Sequence, residues 1–168
     1  MSIFLIGLTL LMLLVIYFDL TSFTIPNWLN AIALLLFIPF ILSTPHSVDW
    51  QSALLAFGVV FAIGFFIFAM NWMGGGDIKL FIATAPWLGW GTLLADYLIL
   101  VAILGGILSI LLLVIRKIVP WILPRIDLAT LPRLLRKGEP VPYGLAIAGA
   151  FLYYMWTGQI AGIAAYSV

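Results

Sequence analysis

Asn71-Trp72-Met73-Gly74-Gly75-Gly76-Asp77-Ile78-Lys79-Leu80 sets three consecutive glycines and a carboxylate between two strongly apolar runs. Without Cβ atoms, that backbone is free to adopt positive φ and to let another chain lie directly against it. An extended peptide could dock there. Asp77 stands at the mouth of an apolar segment, where a charge is expensive, and is therefore a candidate functional residue. The same residues also read as a plain loop with Asp77 as the N-cap of a helix starting at Ile78. A second acid in a matching place, Asp19, favours a site.

Outward from this stretch, composition decides the class. Hydrophobic residues make up 65% of the 168 and charged residues 8%, with a mean hydropathy of +1.28. Such a chain is expected to be an all-α, polytopic integral membrane protein. Its longest polar stretch, Arg116 to Val141, is too short and too interrupted by proline to build a core of its own, so residues 1–168 form a single membrane-embedded domain. The chain has no cysteine, which excludes disulfides, thiolate nucleophiles and cysteine-ligated metals. With a single histidine, neither a metal site nor a cofactor is expected.

About six transmembrane helices follow from the apolar runs. Ile3 to Phe18 continues as helix as far as Thr24, where Pro26 interrupts it. It lacks a basic n-region and a cleavage site, so it reads as a retained span. Trp28 to Ser43 is a second, bent at Pro39, and Ser52 to Met70 a third. The run from Ile78 to Ile115 would measure about 57 Å as one helix, nearly twice the hydrocarbon thickness. It must fold back, and Gly89-Trp90-Gly91 with Asp96 marks the place. That gives a fourth span near Ile78 to Leu94 and a fifth near Tyr97 to Ile115, stopped by Arg116 and Lys117. The sixth runs from Tyr143 to about Ala165.

With this parity all seven basic residues fall on one side. Lys79 adjoins the glycines, and Arg116, Lys117, Arg125, Arg133, Arg136 and Lys137 lie in the loop between the fifth and sixth spans. The loops Thr44 to Gln51 and Gly89 to Asp96 carry neither Lys nor Arg. By the positive-inside rule the basic side is cytoplasmic, and Asp19 and Asp77 emerge there together. The basic loop mixes Pro120, Pro124 and Pro132 with Trp121 and several leucines, which suits either an interfacial segment against anionic lipid or a solvated topogenic loop. No nucleic-acid module is present, since the aromatics belong to the spans.

Two carboxyl groups sharing a site cannot both ionise easily, so one can retain a proton while the other activates a water between them. Such a pair cleaves a peptide bond without metal, nucleophilic side chain or cofactor. Helix polarity suggests a division of labour. Asp77 opens a helix and Asp19 lies towards the end of one, which would leave the shared proton mainly on Asp19. The alternatives are a helix cap, a polar span terminus, or a proton relay in a small proton-coupled transporter or membrane scaffold subunit.

Asp19-Leu20-Thr21-Ser22-Phe23-Thr24-Ile25-Pro26-Asn27, then Gly74-Gly75-Gly76-Asp77-Ile78-Lys79-Leu80, then Pro140-Val141-Pro142-Tyr143-Gly144-Leu145-Ala146-Ile147 resemble the three signature regions of the type IV prepilin peptidases. These are GxGD-class intramembrane aspartyl proteases. Motif order and span pattern extend the resemblance over essentially the whole chain. In size and in its short first loop, the chain is most similar to the peptidases of tight-adherence (Flp) pilus systems.

The resemblance implies a leader peptidase of the bacterial inner membrane, active at the cytoplasmic face. It would cut prepilins or pseudopilins after a glycine that ends a short basic leader. Asp19 and Asp77 match the two catalytic aspartates, and Gly74 and Gly76 the glycines of GxGD. The glycine stretch Gly74, Gly75 and Gly76 would admit the scissile segment. Pro142, Tyr143 and Gly144 would start the sixth span close by and contact substrate, or act only as a helix start. Lys79, two positions from Asp77, faces away from it and reads as a surface or lipid contact. Thr21, Ser22, Phe23 and Thr24 occupy positions where the family often carries basic residues. The cysteine-bearing loop of the bifunctional, N-methylating members is missing.

Overall fold

A computed structural model describes residues 3–44, 48–122 and 132–160 of the chain. The described residues are helical throughout, with no strand: α1 (Ile3–Ser22), α2 (Asn27–Leu35), α3 (Phe37–Ser43), α4 (Trp50–Ala69), α5 (Gly75–Leu88), α6 (Thr92–Ile122) and α7 (Tyr143–Trp156), with one 3-10 turn at Arg133–Leu135. Counting α2 and α3 as one bent unit gives six apolar segments. Three of them, α1, α4 and α6, are long and apolar enough to cross a membrane. The protein is an all-α membrane protein.

Local chemistry sets most of the boundaries. Pro26 ends the reach of α1 and leads directly into α2. The second segment breaks at Leu36, not at Pro39 itself. The reason is that a proline ring clashes with the carbonyl four residues earlier, which is that of Leu35, the last residue of α2. Asp49 caps α4 by accepting the Gln51 and Ser52 N–H groups at 3.0 and 3.2 Å. Gly89 closes α5 with φ of 69°, a left-handed conformation that glycine adopts at little cost.

Several expected boundaries are corrected. Asp96 lies inside α6, so the fold-back is confined to Gly89–Gly91. Arg116 and Lys117 do not stop the fifth segment either, because α6 continues to Ile122. A charge marks where a helix leaves the hydrocarbon, and backbone hydrogen bonding can continue beyond that level. The sixth helix is shorter than expected as well, since α7 ends at Trp156 and not near Ala165, while Pro124 and Arg125 of the basic loop lie outside the described residues.

α5 is the centre of the packing, held between α4 on one side and α2 and α7 on another, while α7 also packs on α1 and α6. Leu8, Met12 and Val15 of α1, Leu80 of α5 and Ile147 and Phe151 of α7 are fully buried in this core. Most buried polar side chains in it find partners among the described residues, although the Asn30 Oδ1 does not. The Tyr97 hydroxyl lies 3.2 Å from the Thr84 hydroxyl and donates to the Ile147 carbonyl, and the Trp87 indole donates to the Ala33 carbonyl at 3.0 Å. Outward faces of α4 and α6 expose Leu54, Phe65, Ile99, Ile107 and Ile110. In a bilayer these apolar residues meet lipid.

Candidate active site

Asp19 is in the last turn of α1 and Asp77 in the first turn of α5. Both line one cleft of about 800 Å³, with Gly74, Gly75 and Gly76, Phe23 to Ile25, Trp72, Pro140, Val141 and Tyr143. The cleft therefore brings the three sequence regions together from distant parts of the chain.

Asp77 is not the cap of its helix. Gly74 takes that position, α5 begins at Gly75, and Asp77 follows as its third residue. Its carboxylate stands at the N-terminal, electropositive end of α5. Asp19 is buried, and its Oδ2 accepts the Leu145 N–H at 3.0 Å. Leu145 is in the first turn of α7. Asp19 thus ends its own helix yet faces the positive end of another, a juxtaposition invisible in chain order. The asymmetry of helix ends that would leave the proton on Asp19 is thereby reduced, since Asp19, at the end of α1, also meets the N-terminus of α7.

None of the three glycines adopts positive φ among the described residues. Their missing Cβ atoms matter for close approach. At Gly76 a Cβ would lie 3.3 Å from Ile25 Cβ and 3.4 Å from the Ile25 backbone nitrogen, and at Gly75 it would lie 3.1 Å from the Phe68 ring. The close neighbour at Gly76 is therefore the chain's own Ile25. Gly74 is different. It is exposed on the cleft, and a Cβ there would meet Asp77 Oδ2 at 3.1 Å. Gly144 has the matching role at the other acid, where a Cβ would fall 2.8 Å from Asp19 Oδ2 and 2.8 Å from Ile25 Cδ1.

Pro142 is buried as the residue preceding α7 and does not line the cleft, whereas Tyr143 does. The Tyr143 ring lies against Gly105 of α6, where a Cβ would come within 2.6 Å of it, and its hydroxyl accepts from Ser109 at 3.1 Å. Phe23 has φ of 54°, an unusual left-handed conformation for a bulky residue. Its N–H caps the end of α1 by bonding the Asp19 carbonyl.

Several contributors were missed in the sequence. Asn27 accepts from Lys79 Nζ at 2.8 Å, and Asn30 Nδ2 donates to the Gly76 carbonyl at 3.3 Å. Lys79 is therefore tied to the Ile25-Pro26-Asn27 turn and does not serve as a lipid contact alone. The buried Arg116 donates from Nε to the Leu134 carbonyl, from Nη1 to that of Glu139 and from Nη2 to that of Pro140, at 3.0, 2.6 and 3.0 Å. It pins the segment that leads into Tyr143. Arg133 pairs with Glu139 at 3.2 Å and sets its guanidinium 5.2 Å from the centre of the Phe23 ring. A membrane-spanning chain with buried polar groups at helix ends was the available signal for Asn30. Nothing in the sequence singled out Arg116 from the other basic residues.

A model of the type IV leader peptidase family matches residues 6–115, a stretch that holds both aspartates and the glycines between α4 and α5. No curated protein and no solved structure matches the chain.

Proposed function

The chain belongs to the type IV leader peptidase family, whose members are aspartic peptidases of the prepilin type, and on that premise we propose that Asp19 and Asp77 are its catalytic dyad. The carrying observation is the convergence of the two acids, from α1 and α5, on one cleft walled by the glycine stretch and by Tyr143. In this reading residues 1–168 act as a single membrane-embedded peptidase domain of the bacterial inner membrane, with the cleft open towards the cytoplasm. The substrate is a Flp-type prepilin or pseudopilin, cut after the glycine that ends its basic leader.

The reaction needs one proton shared by two carboxyls. The ionised carboxylate takes a proton from a water as its oxygen attacks the scissile carbonyl carbon, and the protonated carboxyl gives its proton to the carbonyl oxygen. Collapse of the tetrahedral intermediate breaks the C–N bond, the leaving amine takes up a proton, and the pair again holds one. Gly74 leaves Asp77 accessible from the cleft, and Gly144 lets Asp19 approach the α7 backbone. Neither step requires a cofactor.

The test is cleavage by the reconstituted protein of a peptide with a basic leader, a glycine and an apolar stretch. Asp19→Asn and Asp77→Asn should each abolish it while the protein still inserts with wild-type helicity. If either variant cleaves at the wild-type rate, the two-aspartate mechanism fails and a proton-handling transporter or scaffold role becomes the better reading.

A further inference from the structure

A second cavity, of about 770 Å³, lies at the far end of α6, where Arg116, Lys117 and Trp121 face Lys137, Gly138 and Glu139. Its height is fixed by the helix. Lys117 is about 38 Å and Trp121 about 44 Å from Thr92 at 1.5 Å per residue, which is headgroup depth in a bilayer about 40–45 Å thick overall. Trp121 is 85% exposed there, as expected of an indole placed at the interface. Leu113 and Val141 make the deeper part apolar.

Among the described residues the charge of this cavity is not balanced. Arg116 is buried, but its three partners are carbonyl oxygens and not a carboxylate. They satisfy its hydrogen bonds but bring no carboxylate to its charge among the described residues, an expensive state for a buried cation. Lys117 and Lys137 are exposed and add two more positive charges. The one acid on the wall, Glu139, has its carboxylate engaged by Arg133. Three cations with no free acid among the described residues of the wall, beside an exposed indole and an apolar floor, match a phosphate that carries acyl chains.

We propose that this cavity binds the phosphate headgroup of an anionic phospholipid from the surrounding bilayer. Lys117 and Lys137 contact the phosphate, Arg116 supplies the field behind it, and Leu113 and Val141 receive the top of the acyl chains. Pro140 and Val141 also line the aspartate cleft, so the lipid stabilises one wall of that cleft from behind.

The test measures lipid retention and not cleavage, so it succeeds or fails separately from the catalytic reading. The full chain is placed in phosphatidylcholine nanodiscs containing a minor fraction of phosphatidylglycerol, released, and weighed by native mass spectrometry. Wild type should retain phosphatidylglycerol in preference to phosphatidylcholine. Each of Lys117→Gln and Lys137→Gln should cut that preference about fivefold, and the pair about twenty-five-fold. The Lys117→Arg/Lys137→Arg variant should keep it. Should the double Gln variant lose helicity, the two single variants carry the same test. Millimolar inorganic phosphate should leave retention unchanged. Equal retention of the two lipids by wild type, or undiminished preference in the Gln variants, overturns the proposal. Displacement by inorganic phosphate overturns it too, by showing a site for free anions.

Discussion

Gly144 and Gly149 lie in the same helix, yet a methyl group added to each should have opposite effects. At Gly144 it would sit 2.8 Å from Asp19 Oδ2 and 2.9 Å from its Cγ, and the α7 backbone cannot retreat without losing the Leu145 hydrogen bond to the same carboxylate. Displacing a reacting group by about 1 Å can cost on the order of a hundredfold. Gly144→Ala should therefore lower kcat by about that factor with little change in KM, read on the reconstituted enzyme. At Gly149 nothing lies within 4 Å of the added carbon. Gly149→Ala should leave kcat unchanged and raise stability by about 0.5–1 kcal/mol in a thermal or denaturant unfolding experiment. The acids themselves were legible in the sequence because charge is rare in apolar runs. The need for glycine at 144 was not, since it depends on contact with a side chain from the first helix.

Arg116 shows how one element positions another. Its guanidinium ties α6 to the carbonyls of Leu134, Glu139 and Pro140, while Gly105 and Ser109, lower on the same helix, receive Tyr143. The segment entering α7 is thus held at two heights along α6. Hydrogen bonds to a charged group contribute about 1.5–3 kcal/mol each. Arg116→Gln should cost about 3 kcal/mol of stability and make the chain between Pro132 and Pro142 sensitive to protease, whereas Arg116→Lys keeps the charge and should restore only part of the resistance. Apolar periodicity and proline placement made six segments legible, and Pro26 and Gly89 mark true helix ends. The overrun of α6 was not legible, because hydropathy reports where lipid stops and the helix ends where its backbone bonding does.

For the whole molecule, the arrangement of basic residues carries an orientation, which is a proposal with a direct test. Because the chain has no cysteine, single cysteines at the exposed Gln51 and Lys137 can be labelled without background; the loop positions Ser47 and Thr130, equally suited by sequence, lie outside the described residues. A membrane-impermeant thiol reagent on intact cells should modify Gln51→Cys and spare Lys137→Cys. Labelling of Lys137→Cys would turn the cleft to the opposite face and remove the cytoplasmic reading. The cleft has a further consequence. Its volume of about 800 Å³ has room for on the order of 25 waters at about 30 Å³ each. A substrate segment entering it must drive most of them back to bulk, so association should be sensitive to the activity of water. Osmotic stress from a polymer too large to enter the cleft should lower KM progressively while kcat holds steady, and a KM indifferent to osmotic pressure would mean that the cleft stays wet when filled.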